Sequence, residues 1–502
     1  MSGRRVLLVN PRITSRRHAR FPLSLLTIAG ALGDRGIEAE IVDGNVEADT
    51  VATVLNRLRA QRFDAVGVSV MGGPQIEPAL ALSRAVHTSP AAPPVVWGGY
   101  FPSLYPATVL NCEHVDYVAR DSGEHVLGEL LSVLPHATPQ ALATIAGLSW
   151  RLGARTVDNP ARKLAGPPRA ALLPYDKLGD PRAYLARTFL GARTAVHQAS
   201  LGCRFRCTFC GVAAMFRGVT QLPAAQRLAA DLQYLRDDLG ADSVQYYDHN
   251  FFDREAEMIP LLEVMARFEL PWWCYARADA LVNLSASSWE LVRRSRLRMA
   301  YIGAETPNNN LLKAIRKGTR CDQTLEAAEL CRRNGVIPEL SFMVAPPQDT
   351  EAETERTFEF IRQVKRVNPQ SEIIVYIYTP LPADVVPGAE RLKLAPLLDL
   401  HGEPIVFPRT PQEWTQRQWI DYACHADAPW LTERLRRRIR DFVTVLRCRF
   451  PTVQDARMSR WGRSTLRGLA SWRYSLQRYD RPWELRASQR LLRLIDPRAS
   501  SI

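Results

Sequence analysis

The chain has 502 residues, 46% hydrophobic and 23% charged, the make-up of a globular protein long enough for two or three domains. Nine cysteines in this length exclude a disulfide scaffold, and no apolar run reaches the ~18 residues that a membrane span needs. The formal charge of +13 comes largely from arginines near the C-terminus, in "ERLRRRIRDF" and "RWGRSTLRGLASWRYSLQRYDRP", and reads as a solvated helical surface rather than a nucleic-acid site.

The opening "MSGRRVLLVNPRI" holds an apolar run too short for a signal peptide, so a cytoplasmic protein is expected. Over residues 4–131 short apolar strands alternate with helical periods: "RRVLLVN", "IEAEIVD", "FDAVGVSV", "PPVVWGG" and "HVDYVAR" read as strands, with helices between them. Such alternation predicts a doubly wound parallel sheet with its ligands at the carboxyl ends of the strands. From 132 to 185 the pattern loosens into a small hairpin and a proline-rich connector.

Alternation resumes at "TAVHQASLGC", and "SVQYYDHNFF", "PWWCYARAD", "MAYIGAE", "PELSFMV" and "EIIVYIYTP" predict a second, barrel-like βα domain. Beyond about 400 the chain turns arginine-rich and helical, as in "WLTERLRRRIRDFVTVL". The expected class is α/β: a Rossmann-like domain over 1–135, a linker over 136–185, a partial βα-barrel over 186–400 and a mostly helical domain over 401–502.

The chemistry concentrates in "LGCRFRCTFCGVAAM", where Cys203, Cys207 and Cys210 follow a CxxxCxxC spacing while the other cysteines stand singly. A structural zinc site calls for four ligands, and no neighbouring histidine or fourth cysteine completes one. Three thiolates on an iron–sulfur cluster leave one iron open to a substrate or cofactor. Gly202 and Gly211 suit a tight loop around such a cluster, and Phe209 can cover it and limit solvent.

"ASLGCRFRCTFCGV" resembles the cluster loop of the radical SAM superfamily. The resemblance implies a [4Fe–4S] cluster whose open iron binds S-adenosylmethionine (SAM), which one-electron reduction cleaves to a 5′-deoxyadenosyl radical. "YYDHNFF" resembles that family's second barrel strand and "YIGAETP" its G-x-E-S strand end, while "CYARAD" carries an arginine matching one near the bound methionine. Phe209, Asp248, Asn250, Arg277 and Glu305 are therefore expected at the SAM site, with a structural ion pair between Arg277 and Glu305 as the other reading. "FMVAPPQDTEAE" departs from the family's F-M-x-G-L-P-G-E-T at Ala345, Pro346 and Gln348.

The first domain has no G-x-G-x-x-G after its first strand, which argues against a dinucleotide site. It resembles cobalamin-binding domains, with Ser69-Val70-Met71 at their S-x-L and Gly98-Gly99 at their G-G; Asn10 and Tyr100 complete the expected cobalamin contacts. The cobalt-ligating D-x-H-x-x-G of many such domains is missing from "NPRITSRRHARFPLS", where His18 stands alone. That departure, shared by cobalamin-dependent radical SAM enzymes, implies cobalt without a protein imidazole.

Taken together the resemblance implies an enzyme moving a methyl group from methylcobalamin to an unactivated carbon of a small molecule or natural product, fed by a flavodoxin or ferredoxin. Radical oxidation or ring closure, as in anaerobic tetrapyrrole cyclases, is the alternative reading. A non-catalytic corrinoid sensor is a second alternative. No catalytic acid, base or substrate contact is assigned from sequence.

Overall fold

Continuous apolar runs bounded by turn residues become strands buried on both faces, the pattern of a parallel sheet covered by helices. In the computed structural model, which describes residues 3–121, 123–162, 172–386, 396–453 and 460–495, β1 (Arg5–Asn10), β2 (Glu38–Asp43), β3 (Ala65–Ser69), β4 (Val95–Gly98) and β5 (Tyr117–Ala119) are all parallel. The sheet order β2-β1-β3-β4-β5 reverses direction at β1/β3, so the carboxyl ends of those two strands flank a crevice. Helices Leu23–Gly33, Thr50–Ala60, Ile76–His87 and Gly123–Val133 connect the strands, and Asp49 caps the second by accepting the Ala52 amide at 3.0 Å.

One expectation changes here. The hairpin assigned to the linker, β6 (Leu148–Leu152) and β7 (Arg155–Asp158), joins this sheet antiparallel to β5. β5 is three residues long, and without the hairpin it would present a bare edge. Trp150 is buried beneath the hairpin and donates from Nε1 to Asn159 Oδ1 at 3.2 Å. The proline-rich stretch 163–171 lies outside the described residues.

The second sheet is built from β8 (Thr194–His197), β11 (Ser243–Tyr246), β12 (Trp272–Ala276), β13 (Leu297–Glu305), β14 (Ile337–Val344) and β15 (Glu372–Ile377). All six are parallel and neighbours in sequence order, as in an open βα-barrel. Between β8 and β11, β9 (Leu201–Gly202) and β10 (Thr220–Gln221) pair as a short antiparallel ribbon that closes the loop containing the three cysteines. Alternate strand residues such as Tyr246, Cys274, Ile302 and Phe342 join the helix-covered core. The intervening positions put Trp273, Tyr275 and Tyr301 on the other, concave face, with ring centroids 4.6–6.2 Å apart.

The C-terminal part is helical: Arg417–Ala423, Glu433–Arg449, Arg460–Ser475 and Trp483–Ile495. It ties the halves together. Trp414 packs against Phe101 and Tyr105 of the first domain, at 5.5 and 5.0 Å between ring centroids, and against Trp419 at 5.5 Å. One buried apolar cluster runs from Leu7 and Trp97 through the barrel to Phe442 and Leu446. Truncating Trp414 to alanine should therefore cost about 3–5 kcal/mol, the range for a buried aromatic. Urea unfolding followed by circular dichroism reads this, and a loss under about 1 kcal/mol would show that the two halves do not depend on this contact.

Candidate functional site

The loop after β8 is held from the end of β11. Asp248, wholly buried, accepts the Ala199 amide at 3.0 Å and the Ser200 amide as well, fixing the chain just ahead of the cysteines. Burial raises its carboxyl to about 6. The neighbouring His249 accepts the Gly202 amide on Nδ1 at 3.2 Å and lies 5.2 Å from the Phe216 ring, and burial lowers its pKa to about 4, which keeps the imidazole neutral. Gly202 has φ +88 and lies where a Cβ would collide with the Val219 carbonyl, so only glycine serves there.

Cys203, Cys207 and Cys210 lie together on this loop. Burial pushes the thiol of Cys210 up to about 11 and that of Cys203 upward, and the closeness of Cys207 adds to both shifts. Such thiols ionise only when a metal displaces their protons. Among the described residues no three His, Cys, Asp or Glu side chains converge on a single-ion position. Three thiols on one loop, with one coordination position left over, suit an iron–sulfur cluster. Phe209 is half-buried between Cys207 and Cys210.

The charged residues expected beside SAM are both present but committed. Arg277 donates to both carboxylate oxygens of Asp279 at 3.0 Å and to the Lys317 carbonyl at 2.5 Å, and its guanidinium lies 3.5 Å from the centre of the Phe205 ring. Phe205, inside the cysteine loop, also carries the Arg204 guanidinium at 4.4 Å, and Arg204 pairs with Asp253 at 2.7 Å. Glu305, at φ +62 where β13 bulges, pairs with Lys317 Nζ at 2.5 Å, both side chains being buried. The ion pair read from sequence thus does not form: Arg277 takes Asp279 and Glu305 takes Lys317. Asn250 is buried and donates to Asp253 at 3.2 Å, while its Oδ1 has no partner.

At the crevice of the first domain, Gln75 pins the two flanking strands. It donates to Asn10 Oδ1 at 2.9 Å and to the Pro11 carbonyl at 2.7 Å, and accepts the Met71 amide at 2.7 Å. Asn10 donates in turn to Asp43 at 2.9 Å, so its amide orients the crevice wall. Val70 exchanges backbone bonds with Gly98 and Phe101, and Ser69 lies at the end of β3 beside Gly99. Gly99 adopts φ +99 and a Cβ there would sit 3.0 Å from the Val70 carbonyl, whereas one on Gly98 would meet nothing closer than 3.4 Å. Met71 is 58% exposed over this crevice. A cradle walled by backbone and glycine with an apolar lip fits a large flat cofactor.

Tyr100, next along the chain, reaches from the crevice to the cysteine loop. Its ring and hydroxyl press against Gly211 beside Cys210, where a Cβ would collide with them. At the other end of helix Gly211–Phe216, Arg217 pairs with buried Asp121 of the first domain at 2.8 Å. The helix that follows the last cysteine is therefore gripped at both ends by loops of the first domain. A cavity of about 440 Å³ lies elsewhere, at the amino ends of β14 and β15 beside Lys365 and Phe450, and takes no part in this site.

A flavodoxin-like domain open at its switch point, facing a three-thiol loop at the mouth of a partial barrel, defines a protein that brings a large planar cofactor to an iron–sulfur cluster. The B12 binding domain family matches residues 12–131 and the Radical SAM superfamily residues 198–361. The chain belongs to the cobalamin-dependent radical SAM enzymes; cobalamin, a [4Fe–4S] cluster and SAM are the cofactors of this architecture. An uncharacterized methyltransferase of Pyrococcus horikoshii is 24% identical over 352 residues, covering 68% of this chain and 73% of its own. The anaerobic magnesium-protoporphyrin IX monomethyl ester cyclase of Synechocystis is 24% identical over 388 residues, 74% of each. In fold, the radical SAM methyltransferase TsrM of Kitasatospora setae, solved with cobalamin and a [4Fe–4S] cluster, superposes with TM-score 0.61 at 20% identity, covering 76% of this chain and 77% of that one. OxsB, a cobalamin-dependent SAM radical enzyme, gives 0.68 at 16% identity, covering 98% and 75%.

The sequence pattern singles out the cysteines and both glycine-containing crevice loops but not Gln75, His249 or Lys317. His249 stands inside the motif that named Asp248 and Asn250, so its neighbourhood was a usable signal. Gln75 and Lys317 carry none, since their partners lie on other strands.

Two measurements follow from this geometry. Asp248 has a raised carboxyl, so its ionisation opposes folding: its contribution is favourable below about pH 4 and is lost as pH rises through about 6. The stability of the parent relative to Asp248→Asn should fall over that window by an amount on the order of 3 kcal/mol; a flat difference would mean the carboxyl is not desolvated. His18, exposed after β1, is the histidine of the segment where many cobalamin domains have their cobalt ligand. The paramagnetic resonance spectrum of the protein with cob(II)alamin should lack nitrogen splitting and be unaltered by His18→Ala, and a splitting that the substitution removes would make His18 the cobalt ligand.

Proposed function

We propose that this enzyme transfers a methyl group to an unactivated carbon of a small-molecule substrate. The observation that carries the proposal is the grip of Tyr100 and Asp121 on the helix after Cys210, because it brings the crevice of the first domain and the cysteine loop to one seam, as methyl transfer between two cofactors requires. When bound, the cluster with SAM supplies a hydrogen-abstracting radical and the corrinoid supplies the methyl group. The chain's own residues hold and shield. Cys203, Cys207 and Cys210 are the cluster ligands, and Asp248 and His249 fix the loop that presents them.

Arg277, Glu305 and Asn250 frame the SAM side of the mouth; Arg277 acts there as the support under Phe205, leaving Glu305 with Lys317 as the paired charges nearest an amino-acid moiety. Asn10, Ser69, Val70, Met71, Gly98 and Gly99 form the corrinoid cradle. Trp273, Tyr275 and Tyr301 on the concave face suit a flat, largely apolar substrate; TsrM, similar in fold, has been solved with tryptophan as substrate. A flavodoxin or ferredoxin would deliver the electron, and nine free cysteines suit the reducing cytoplasm.

A second reading has its own support. The magnesium-protoporphyrin ester cyclase is as similar in sequence as the methyltransferase, so oxidation or ring closure without methyl transfer uses the same parts. Product masses from candidate substrates with labelled methyl-SAM separate the two: incorporated label supports methylation, and loss of hydrogens without label supports the other. In either case Cys203→Ala, Cys207→Ala and Cys210→Ala should each abolish iron retention and 5′-deoxyadenosine formation, while Cys321→Ala at the start of helix Cys321–Arg333 leaves both intact. Full iron and SAM cleavage in any of the three variants would refute the assignment of the cluster loop.

A further inference from the structure

Helices Arg460–Ser475 and Trp483–Ile495 have more apolar surface than packing requires. Among the described side chains the first buries Leu466 and Ala470 and the second Leu485 against the core. Trp461, Leu469, Trp472 and Leu476 then recur at spacings of eight, three and four along the opposite side of the first helix and its exit. Trp461 is 67% exposed, Trp472 51% and Leu476 67%. Trp483, at 73%, and Leu491 do the same on the second helix. Isolated exposed apolar residues need no explanation, but six concentrated on two adjoining helices do.

The charge around the patch identifies its partner. Between residues 461 and 491 the sequence has seven arginines and two acids. Both acids are already engaged, Glu484 with Arg473 and Asp480 with Arg438. Among the described residues the guanidinium groups of Arg467, Arg478, Arg481 and Arg490 have no acidic partner and are exposed. Tryptophan and leucine on one side flanked by unpaired arginine is the make-up of a helix lying in the boundary of a lipid bilayer, where indole sits at headgroup depth and arginine meets phosphate. A second copy of this chain would bring arginine against arginine, so self-association through this face is disfavoured. We propose that the C-terminal helical pair docks the enzyme on an anionic phospholipid surface, lying on the membrane without crossing it; among the described residues no helix is long and apolar enough to cross.

The test uses the full-length protein and vesicles of phosphatidylcholine with or without phosphatidylglycerol. Co-sedimentation is expected with the anionic vesicles, not with phosphatidylcholine alone, and should be lost at high salt. The triple variant Trp461→Ser, Trp472→Ser, Trp483→Ser should bind at least about tenfold more weakly, with an unchanged circular dichroism spectrum because all three side chains are exposed. Replacing Arg467, Arg478, Arg481 and Arg490 with glutamine is the second variant and should have the same effect, whatever the first does to folding. Failure of the parent to bind anionic vesicles, or equal binding by both variants, would overturn the proposal. So would an oligomer in sedimentation velocity that the tryptophan variant dissolves, since that assigns the face to a second copy.

Discussion

A tyrosine pressed onto a glycine holds the two halves of this site in register. Tyr100 leaves the crevice of the first domain at Gly98-Gly99 and ends against Gly211, one residue past Cys210. Nothing larger than glycine fits at 211, so the approach of the first domain to the cysteine loop is set by hard contact rather than by long-range attraction. The Arg217–Asp121 pair at the far end of the same short helix removes the remaining rotation. Both partners of that pair adopt left-handed backbone, φ +50 and +61, a cost the surrounding packing must offset.

The second constraint is electrostatic. The mouth of the barrel buries Arg277, Lys317, Asp248 and Glu305; Asp248 holds the start of the cysteine loop and Arg277 lies over its Phe205. Unpaired, each would carry a heavy desolvation penalty. Each is therefore given a fixed partner: Asp279, Glu305, two backbone amides and Lys317 in turn. Pairing also makes the mouth stiff, since moving any one of these groups leaves another buried and unsatisfied.

What could be read from sequence divides along the same line. CxxxCxxC is a local pattern whose three thiols share one loop, so spacing alone identified it, and the strand–helix alternation gave both sheets because period is a local property. The Arg277–Glu305 pair does not form for two reasons: Arg277 has a carboxylate two residues on, at Asp279, and Glu305 meets Lys317 only where β13 and the following loop converge. The β6–β7 hairpin was assigned to a linker for a related reason: its own residues predict a hairpin, but only the bare edge of β5 decides where it attaches. The packing of Tyr100 on Gly211 carries no sequence signal, since the two residues are more than a hundred positions apart.

Trp414 gives the molecule a particular order of birth. The Gln412 amide reaches Cys112 of the first domain at 3.5 Å across 300 residues of chain, beside the contact of Trp414 with Phe101 and Tyr105. At the ribosome's pace of ~5–20 residues per second, the first domain waits roughly 15–60 s after synthesis before its covering aromatics emerge. During that interval Phe101 and Tyr105 face water or a chaperone. The amino-terminal domain is thus a poor candidate for expression alone, and a premature stop before residue 412 would leave an adhesive surface rather than a smaller working protein.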